Sequence, residues 1–227
     1  MIECTESLFS RCSYQGVKDM LVVSSVFRFR HTVRLQSHKS NIKGAADRHG
    51  NRTTEHSRCD LLGEADGLPV VPPTEDRVIE MLNGTSRSKD EIIAIVPPNL
   101  DPATVEKIAI NAVMAGCRPE YLPVVITALE AVCTDEFNMH GLLATTMPVG
   151  PVLFVNGPIR NEIGMNSGMN LLGQGNRANS TIGRAVQLII RNVGGGRPGE
   201  VDRATHGSPA KVGLCFAEDE EGSPWPS

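Results

Sequence analysis

Aromatic side chains are scarce in this sequence, and long apolar runs are missing from it. Its 227 residues include one Trp, two Tyr and six Phe, so Ala, Val, Ile and Leu must supply most of the core. No apolar run approaches the roughly 18 residues that a membrane-spanning helix needs. The formal net charge of −4 gives no reason to expect a nucleic-acid partner. We therefore expect a globular chain with no membrane span and no nucleic-acid partner.

Cysteine motifs are also lacking. The six Cys form no CxxC pair and no regular framework, and no two Cys or His residues stand at metal-ligand spacing within a turn or hairpin. Glu3, Glu6 and the late position of the first apolar run argue against a secretory signal. These features predict no metal site, free thiols in a reducing compartment and a cytoplasmic location.

The distribution of charge divides the chain into two parts. Residues 1–65 hold 10 Lys and Arg against 7 Asp and Glu, whereas residues 66–227 hold 12 against 19. Between 36 and 64 almost no residue is apolar, so this stretch buries too little surface to offset its chain entropy. We predict a poorly ordered extension over 1–65, in which residues 20–35 could form a strand or a short hairpin, and one domain over 66–227.

From residue 66 onward, helix caps, prolines and glycines mark the ends of predicted helices and strands. The order of these elements predicts an α+β fold, or an irregular α/β one. The best-marked helix has Asp101 as N-cap, Pro102 at its first position and Gly116 after its last turn, and a second helix follows from Pro119. Short strands and a long Gly/Asn-rich loop before the last helix accompany this helical pair. The other predicted elements are helices at 75–83 and 180–192, a buried strand at 92–96, strands at 141–147, 152–156 and 211–217, and a loop at 157–179.

A glycine-rich stretch before the last helix, GQGNRANSTIGR at 173–184, is the main candidate for a binding site. The glycines permit close backbone approach, Asn179 or Ser180 would cap the helix, and the first amides of a helix attract anions. Flanking arginines would add charged donors. The alternative is a glycine-rich turn with a capped helix and solvated arginines. Six residues form this predicted cradle: Gly173, Gly175, Arg177, Asn179, Ser180 and Arg184.

Further candidate residues lie outside the cradle. Asn156 and Asn170 belong to polar stretches that follow a predicted strand, a position where ligands bind in α/β sheets. His206 is a candidate for proton transfer, and it equally fits a surface histidine. Cys117, between two helix ends, is either a reactive thiol or a core residue.

Four motifs resemble one known family. They are AVMAGCRPEY at 112–121, NRANSTIGR at 176–184, RNVGGGRPGE at 191–200 and FAEDEEGSPW at 216–225. On these motifs, residues 66–227 resemble the domain that follows the UGSC or CGSC motif domain in the UGSC family of (seleno)proteins. The resemblance implies an enzyme-like protein with thiol-linked redox or lyase-type chemistry. The UGSC motif itself is missing from this chain, which puts a redox role in question.

Two alternative functions emerge. The first is an enzyme domain that binds a small anionic or carbonyl-containing substrate in the cradle, with Cys117 and His206 taking part in the chemistry. The second is a non-catalytic binding or oligomerisation domain that works with a separate UGSC-type catalytic domain. For the second, the Ala-rich faces of the helices at 102–115 and 119–133 suit close packing within the chain or between copies. The sequence identifies no cofactor and no particular substrate.

Overall fold

The architecture is α+β, and the longest helix of the described residues lies at the centre of its core. The computed structural model describes Met20–Ser24, Arg28–His31 and residues 65–224. The helices are α1 (Glu75–Leu82), α2 (Val105–Ala115), α3 (Leu122–Val132), α4 (Met139–Ala144), α5 (Ile159–Glu162) and α6 (Arg177–Asn192). The strands are β1 (Met20–Ser24), β2 (Arg28–His31), β3 (Ile92–Val96), β4 (Asp101–Thr104), β5 (Pro151–Val155) and β6 (Leu214–Ala217). Short 3₁₀ turns cover Pro119–Tyr121 and Pro209–Lys211.

A mixed sheet runs in the order β2-β1-β5-β6. β1 pairs antiparallel with both β2 and β5, and β5 pairs parallel with β6. The β1–β2 hairpin corresponds to the hairpin considered for residues 20–35, and it contributes two strands to a sheet completed by β5 and β6. The prediction of poor order for the remaining residues of 1–64 lies outside the described residues.

The stretch before α2 is a strand and not the first turn of a helix. Asp101–Thr104 forms β4, which pairs antiparallel with β3, so the prediction of Asp101 as N-cap and Pro102 at the first helical position is wrong. Thr104 is the N-cap, since its side chain accepts a hydrogen bond from the Lys107 amide at 3.3 Å. Asp and Thr are both good caps, and the pairing with β3 decides between them.

Two further expectations on strands are wrong. A strand forms at 92–96, but Ile92 and Ile95 are 57% and 48% exposed, because β3 pairs with β4 alone in a two-stranded sheet. The stretch 141–147, expected as a strand, lies mostly in α4. Asn138 caps this helix by accepting a hydrogen bond from the Gly141 amide at 3.1 Å. Met, Leu and Ala favour a helix, and this preference prevails here over the short apolar run.

The long helix α6 lies at the centre of the core and packs against α2, α3 and β6. The residues expected to face inward are all buried: Ile182, Ala185, Val186 and Ile189. Gly183 allows close approach to β6, since a Cβ there would lie 2.9 Å from the backbone nitrogen of Leu214. α2 and α3 also bury most of their residues. Their Ala-rich faces are therefore used for packing within this chain.

Candidate functional site

The helix α6 begins three residues earlier than expected, at Arg177. Asn176 is its N-cap, because its side-chain oxygen accepts a hydrogen bond from the Asn179 amide at 3.0 Å. The expectation that Asn179 or Ser180 caps the helix is therefore wrong. Both residues lie in the first turn, where Ser180 is exposed and its amide bonds the Asn176 carbonyl at 3.1 Å.

The side chain of Asn179 holds the preceding loop onto the helix. It is buried, with its Oδ1 accepting from the Asn166 amide at 3.1 Å and its Nδ2 donating to the Asn166 and Leu171 carbonyls at 2.9 and 3.1 Å. These three bonds use both polar atoms of the amide. Asn179 is thus placed to fix the loop, with no donor left over for a ligand.

Arg184 binds the segment 66–69, which precedes α1. Its Nε and Nη2 form a two-point ion pair with Asp66 at 2.8 and 2.7 Å. The same guanidinium donates to the carbonyls of Pro69 at 3.0 Å and Leu68 at 3.2 Å. Burial acts to raise the pKa of Asp66, but the hydrogen bonds and charge of Arg184 outweigh burial and hold that pKa below its usual value. Arg184 therefore lies in a structural ion pair.

Arg177 faces the end of a neighbouring helix. Its Nε donates to the carbonyl of Gly116 at 2.8 Å. Gly116 ends α2 in the left-handed conformation, with φ of 88°, as expected for a glycine after a helix. The last carbonyls of a helix carry partial negative charge, which favours a guanidinium at this position.

A cavity of about 430 Å³ opens beside this contact, between α1, the end of α2 and the start of α6. We call it the arginine cavity, because three guanidinium groups and two carboxylates are among its lining side chains. Its lining residues are Val71, Arg77, Glu80, Met81, Val113, Gly116, Cys117, Arg118, Pro119, Glu120 and Arg177. Among the expected site residues, the structure brings Cys117 and Arg177 together here.

The thiol of Cys117 is in its protonated form at neutral pH. Burial raises the pKa of Cys117 to about 12, and the charges of Arg177 and Arg184 only partly oppose that effect. Its Sγ donates to the carbonyl of Thr181 at 3.4 Å. Because the thiolate is the reactive form of cysteine, this environment is that of a packed core thiol.

The glycine-rich loop closes on itself. Asn170 has φ of 60°, and its Nδ2 donates to the Gln174 carbonyl at 2.8 Å. The Asn170 side chain lies where a Cβ of Gly173 would be, so a larger residue at 173 would displace that side chain. Gly175 has φ of 113°, which favours glycine for its conformation. None of these three residues is in the lining of the arginine cavity.

Asn156 and His206 also lie outside the lining of the arginine cavity. The Nδ2 of Asn156 donates to a carboxylate oxygen of Glu218. His206 is exposed, in the segment between α6 and β6. The residues proposed from the sequence for binding and for chemistry are thus spread over several places.

The sequence interpretation missed Arg77 and gave Arg118 no role as a ligand donor. Arg77 comes from α1, whose sequence carries no feature of a binding site. Arg118 follows Gly116-Cys117 and precedes Pro119. Its position as a cation between two predicted helix ends was the one local signal that could have indicated a ligand donor. The position of Arg77 depends on the packing of α1 against α2, which local patterns do not reveal.

Within 65–224 and the two described N-terminal strands, no three His, Cys, Asp or Glu residues are grouped so that they could hold a metal ion. No helix in the same residues is long and apolar enough to cross a membrane. Cys117, Cys133 and Cys215 are free thiols.

No family model, curated protein or solved structure matches this chain. The resemblance to the UGSC family therefore stays a prediction. The geometry of the arginine cavity and the chemistry of its side chains are the basis for a candidate function.

Proposed function

We propose that the domain binds a small anionic ligand, such as a carboxylate, in the arginine cavity, without acting on it chemically. The observation that carries this proposal is the convergence of Arg77, Arg118 and Arg177 on one cavity of about 430 Å³. A volume of this size lies within the range of small-molecule sites, about 300–1,000 Å³. Guanidinium groups bind carboxylates and phosphates through paired charged hydrogen bonds.

The arginines retain donors for such a ligand. Arg177 uses its Nε on the Gly116 carbonyl, and no described residue accepts a hydrogen bond from its Nη groups. Arg118 likewise has no ion pair within residues 65–224, and Arg77 uses Nη1 on the Pro72 carbonyl at 2.8 Å.

The charges of the lining side chains support the same ligand class. The lining includes three arginines and two glutamates, Glu80 and Glu120, so its formal net charge is +1. A monovalent carboxylate would neutralise it. A carbonyl-containing ligand could accept hydrogen bonds from the same donors, but it would not neutralise the positive charge of the cavity. We therefore favour an anionic ligand.

Binding without chemistry follows from the state of the thiol. An enzyme with thiol-linked chemistry would need the Cys117 thiolate, and the burial that raises the pKa of Cys117 to about 12 opposes its formation. Cys117 nevertheless lies in the cavity lining, and for this reason an enzyme with thiol-linked chemistry is the second candidate function. In the binding reading, a separate UGSC-type domain of the kind implied by the resemblance would supply the chemistry.

Protection against thermal unfolding by small anions tests this proposal. Malonate, acetate or phosphate at ten times the dissociation constant should stabilise the protein by about 1.4 kcal/mol, which is about 3–6 °C in Tm for a chain of this size. Arg177→Gln and Arg118→Gln should each weaken the affinity roughly tenfold, because each removes a charged hydrogen bond at a partly exposed site.

Arg203→Gln is the matched control, since it removes one exposed arginine charge from outside the cavity lining. Chloride at equal ionic strength controls for general screening. The control variant should keep the full protection by carboxylates. Equal protection of the wild-type protein and Arg177→Gln would refute the assignment of the cavity.

A further inference from the structure

A second group of anion-binding donors lies away from the arginine cavity, in the turn after β5. Its donors are the Asn156 side-chain amide, the Gly157 backbone N–H and the Arg160 guanidinium. Carboxylates from the acidic segment 218–221 occupy all three donors in this structure.

The contacts follow the acidic segment residue by residue. The Glu218 carboxylate accepts from the Asn156 Nδ2, and the Glu220 carboxylate accepts from the Gly157 amide. A Glu220 oxygen also lies 3.3 Å from the Arg160 Nε, and Glu221 accepts from the Arg160 Nη2 at 2.6 Å. Asp219 turns away and accepts from the Gly222 amide of its own segment at 3.3 Å. The spacing Glu-x-Glu-Glu therefore matches the donors.

The structure assigns to Asn156, Gly157 and Arg160 a binding site for an acidic peptide segment, which the chain's own residues 218–221 fill as an intramolecular ligand. We call this group of three the tail site. It is distinct from the arginine cavity, whose lining includes none of its residues.

The burial of Arg160 supports a built site. Arg160 is 5% exposed, and a guanidinium buried to this degree requires anionic partners to offset its desolvation. The described residues that pair with it are Glu220 and Glu221. Loss of the acidic segment would remove both carboxylates from Arg160 and leave its guanidinium without an anionic partner among the described residues, so its donors would be available to another acidic segment.

The acidic segment is held by polar contacts, and it leaves the site incompletely satisfied. Residues 218–223 contain no apolar side chain, so charge and hydrogen bonding must supply the attachment, which salt weakens. The Oδ1 of Asn156 is buried and has no hydrogen-bond donor. A peptide bound in another register could present a backbone N–H to that oxygen. An acidic peptide therefore fits the site better than a small inorganic anion does.

Competition between the internal segment and an added peptide tests this inference. The probe is a fluorescein-labelled peptide AEDEEGSP, the sequence of residues 217–224, and the readout is fluorescence anisotropy with the full chain. The triple variant Glu218→Gln, Glu220→Gln, Glu221→Gln removes the internal competitor. It should bind the probe at least tenfold more tightly than the wild type does.

Three controls define the interaction. Asp219→Asn removes a charge from the same segment without touching the tail site, so its affinity for the probe should equal that of the wild type. A peptide with Gln at the three Glu positions should not bind. Arg160→Gln in the triple-variant background should reduce the affinity at least tenfold, and it also removes the unpaired charge that could destabilise that background.

Hydrogen exchange on the wild-type protein gives a second readout that needs no variant. Millimolar unlabelled probe should accelerate exchange of the amides of residues 219–223 while the Gly157 amide stays protected. Unchanged exchange together with equal probe affinities of wild type and triple variant would overturn the proposal. If phosphate or malonate displaced the probe at concentrations as low as the unlabelled peptide, the peptide assignment would be wrong and the site would be one for small anions.

Discussion

Arg184 forms an ion pair with Asp66. The substitution Asp66→Asn therefore tests whether Arg184 has a structural role or binds a ligand. The side chains are 18% and 12% exposed and meet through two hydrogen bonds at 2.8 and 2.7 Å. The amide variant keeps the shape of Asp66 and removes its charge. Arg184 would then retain the carbonyls of Pro69 and Leu68 as partners.

The expected loss of stability lies between that of an exposed and that of a buried pair. Exposed pairs contribute about 0.2–1 kcal/mol, and breaking a fully buried pair costs about 3–5 kcal/mol. For this partly buried pair we expect a loss of about 2 kcal/mol in the free energy of unfolding. In a chain of this length, that loss corresponds to a decrease of about 4–8 °C in Tm.

The difference between wild type and variant should depend on pH in a defined direction. Because the folded pKa of Asp66 is lowered, its contribution is fully present above the unfolded value of about 3.9 and is lost as the pH falls through the folded value. Thermal unfolding followed by circular dichroism from pH 7 to pH 3 should show the two Tm curves converging below about pH 4.

Glu91→Gln is the matched control for this ion pair. The Glu91 carboxylate is 42% exposed, and its partner Arg87 keeps a second carboxylate, Glu130, at 2.6 Å. We expect this control to cost less than about 1 kcal/mol. An unchanged Tm of Asp66→Asn at pH 7 would contradict the structural assignment. The same holds if anions raised the Tm of this variant, beyond their effect on the wild type, by as much as the substitution lowered it. In either case Arg184 would belong to a ligand site.

Two further predictions concern the wall of the arginine cavity. Gly84→Ala should destabilise the protein by about 1–3 kcal/mol, because the new Cβ would collide with the carbonyl of Pro119. Gly168→Ala, whose Cβ meets nothing closer than 3.7 Å, is the control in urea denaturation, and equal midpoints would contradict the packing argument. Cys117 should react with iodoacetamide as slowly as Cys215, since burial raises the pKa of both thiols. Fast, selective labelling of Cys117 at pH 8, measured by mass spectrometry, would revive the enzymatic alternative.

The helices of the fold were largely predictable, because their signals are local. The apolar face of α6 and the left-handed Gly116 are both read from a few neighbouring residues, and both are confirmed. The errors fall where pairing between distant segments decides the structure. Asp101–Thr104 becomes a strand because it pairs with β3, and no residue within that stretch contradicts a helix start.

The candidate site was less predictable for the same physical reason. Asn176, Asn179 and Ser180 are equally suitable caps by residue type. The choice among them depends on the buried bonds that draw Asn179 toward Asn166 and Leu171, which sequence spacing does not show. The sequence shows the charged residues but does not show their partners. Arg184, which forms a structural ion pair, and Arg177, a candidate ligand donor, were therefore predicted alike as parts of the cradle.

The start of α6 meets the end of α2 beside the arginine cavity, and this contact positions Arg177, one of the arginines that we propose bind the anion. The left-handed Gly116 turns the chain so that Cys117 enters the core, while Arg118 remains exposed. The Gly116 carbonyl orients Arg177 through Nε, and the two Nη groups of that guanidinium stay available. A helix start with free amides alone would attract an anion from water only weakly. In the proposed site, the guanidinium groups of Arg118 and Arg177 beside a concave wall would supply the stronger attraction, and for this reason Arg177→Gln should weaken anion binding while changes in the glycine-rich loop should not.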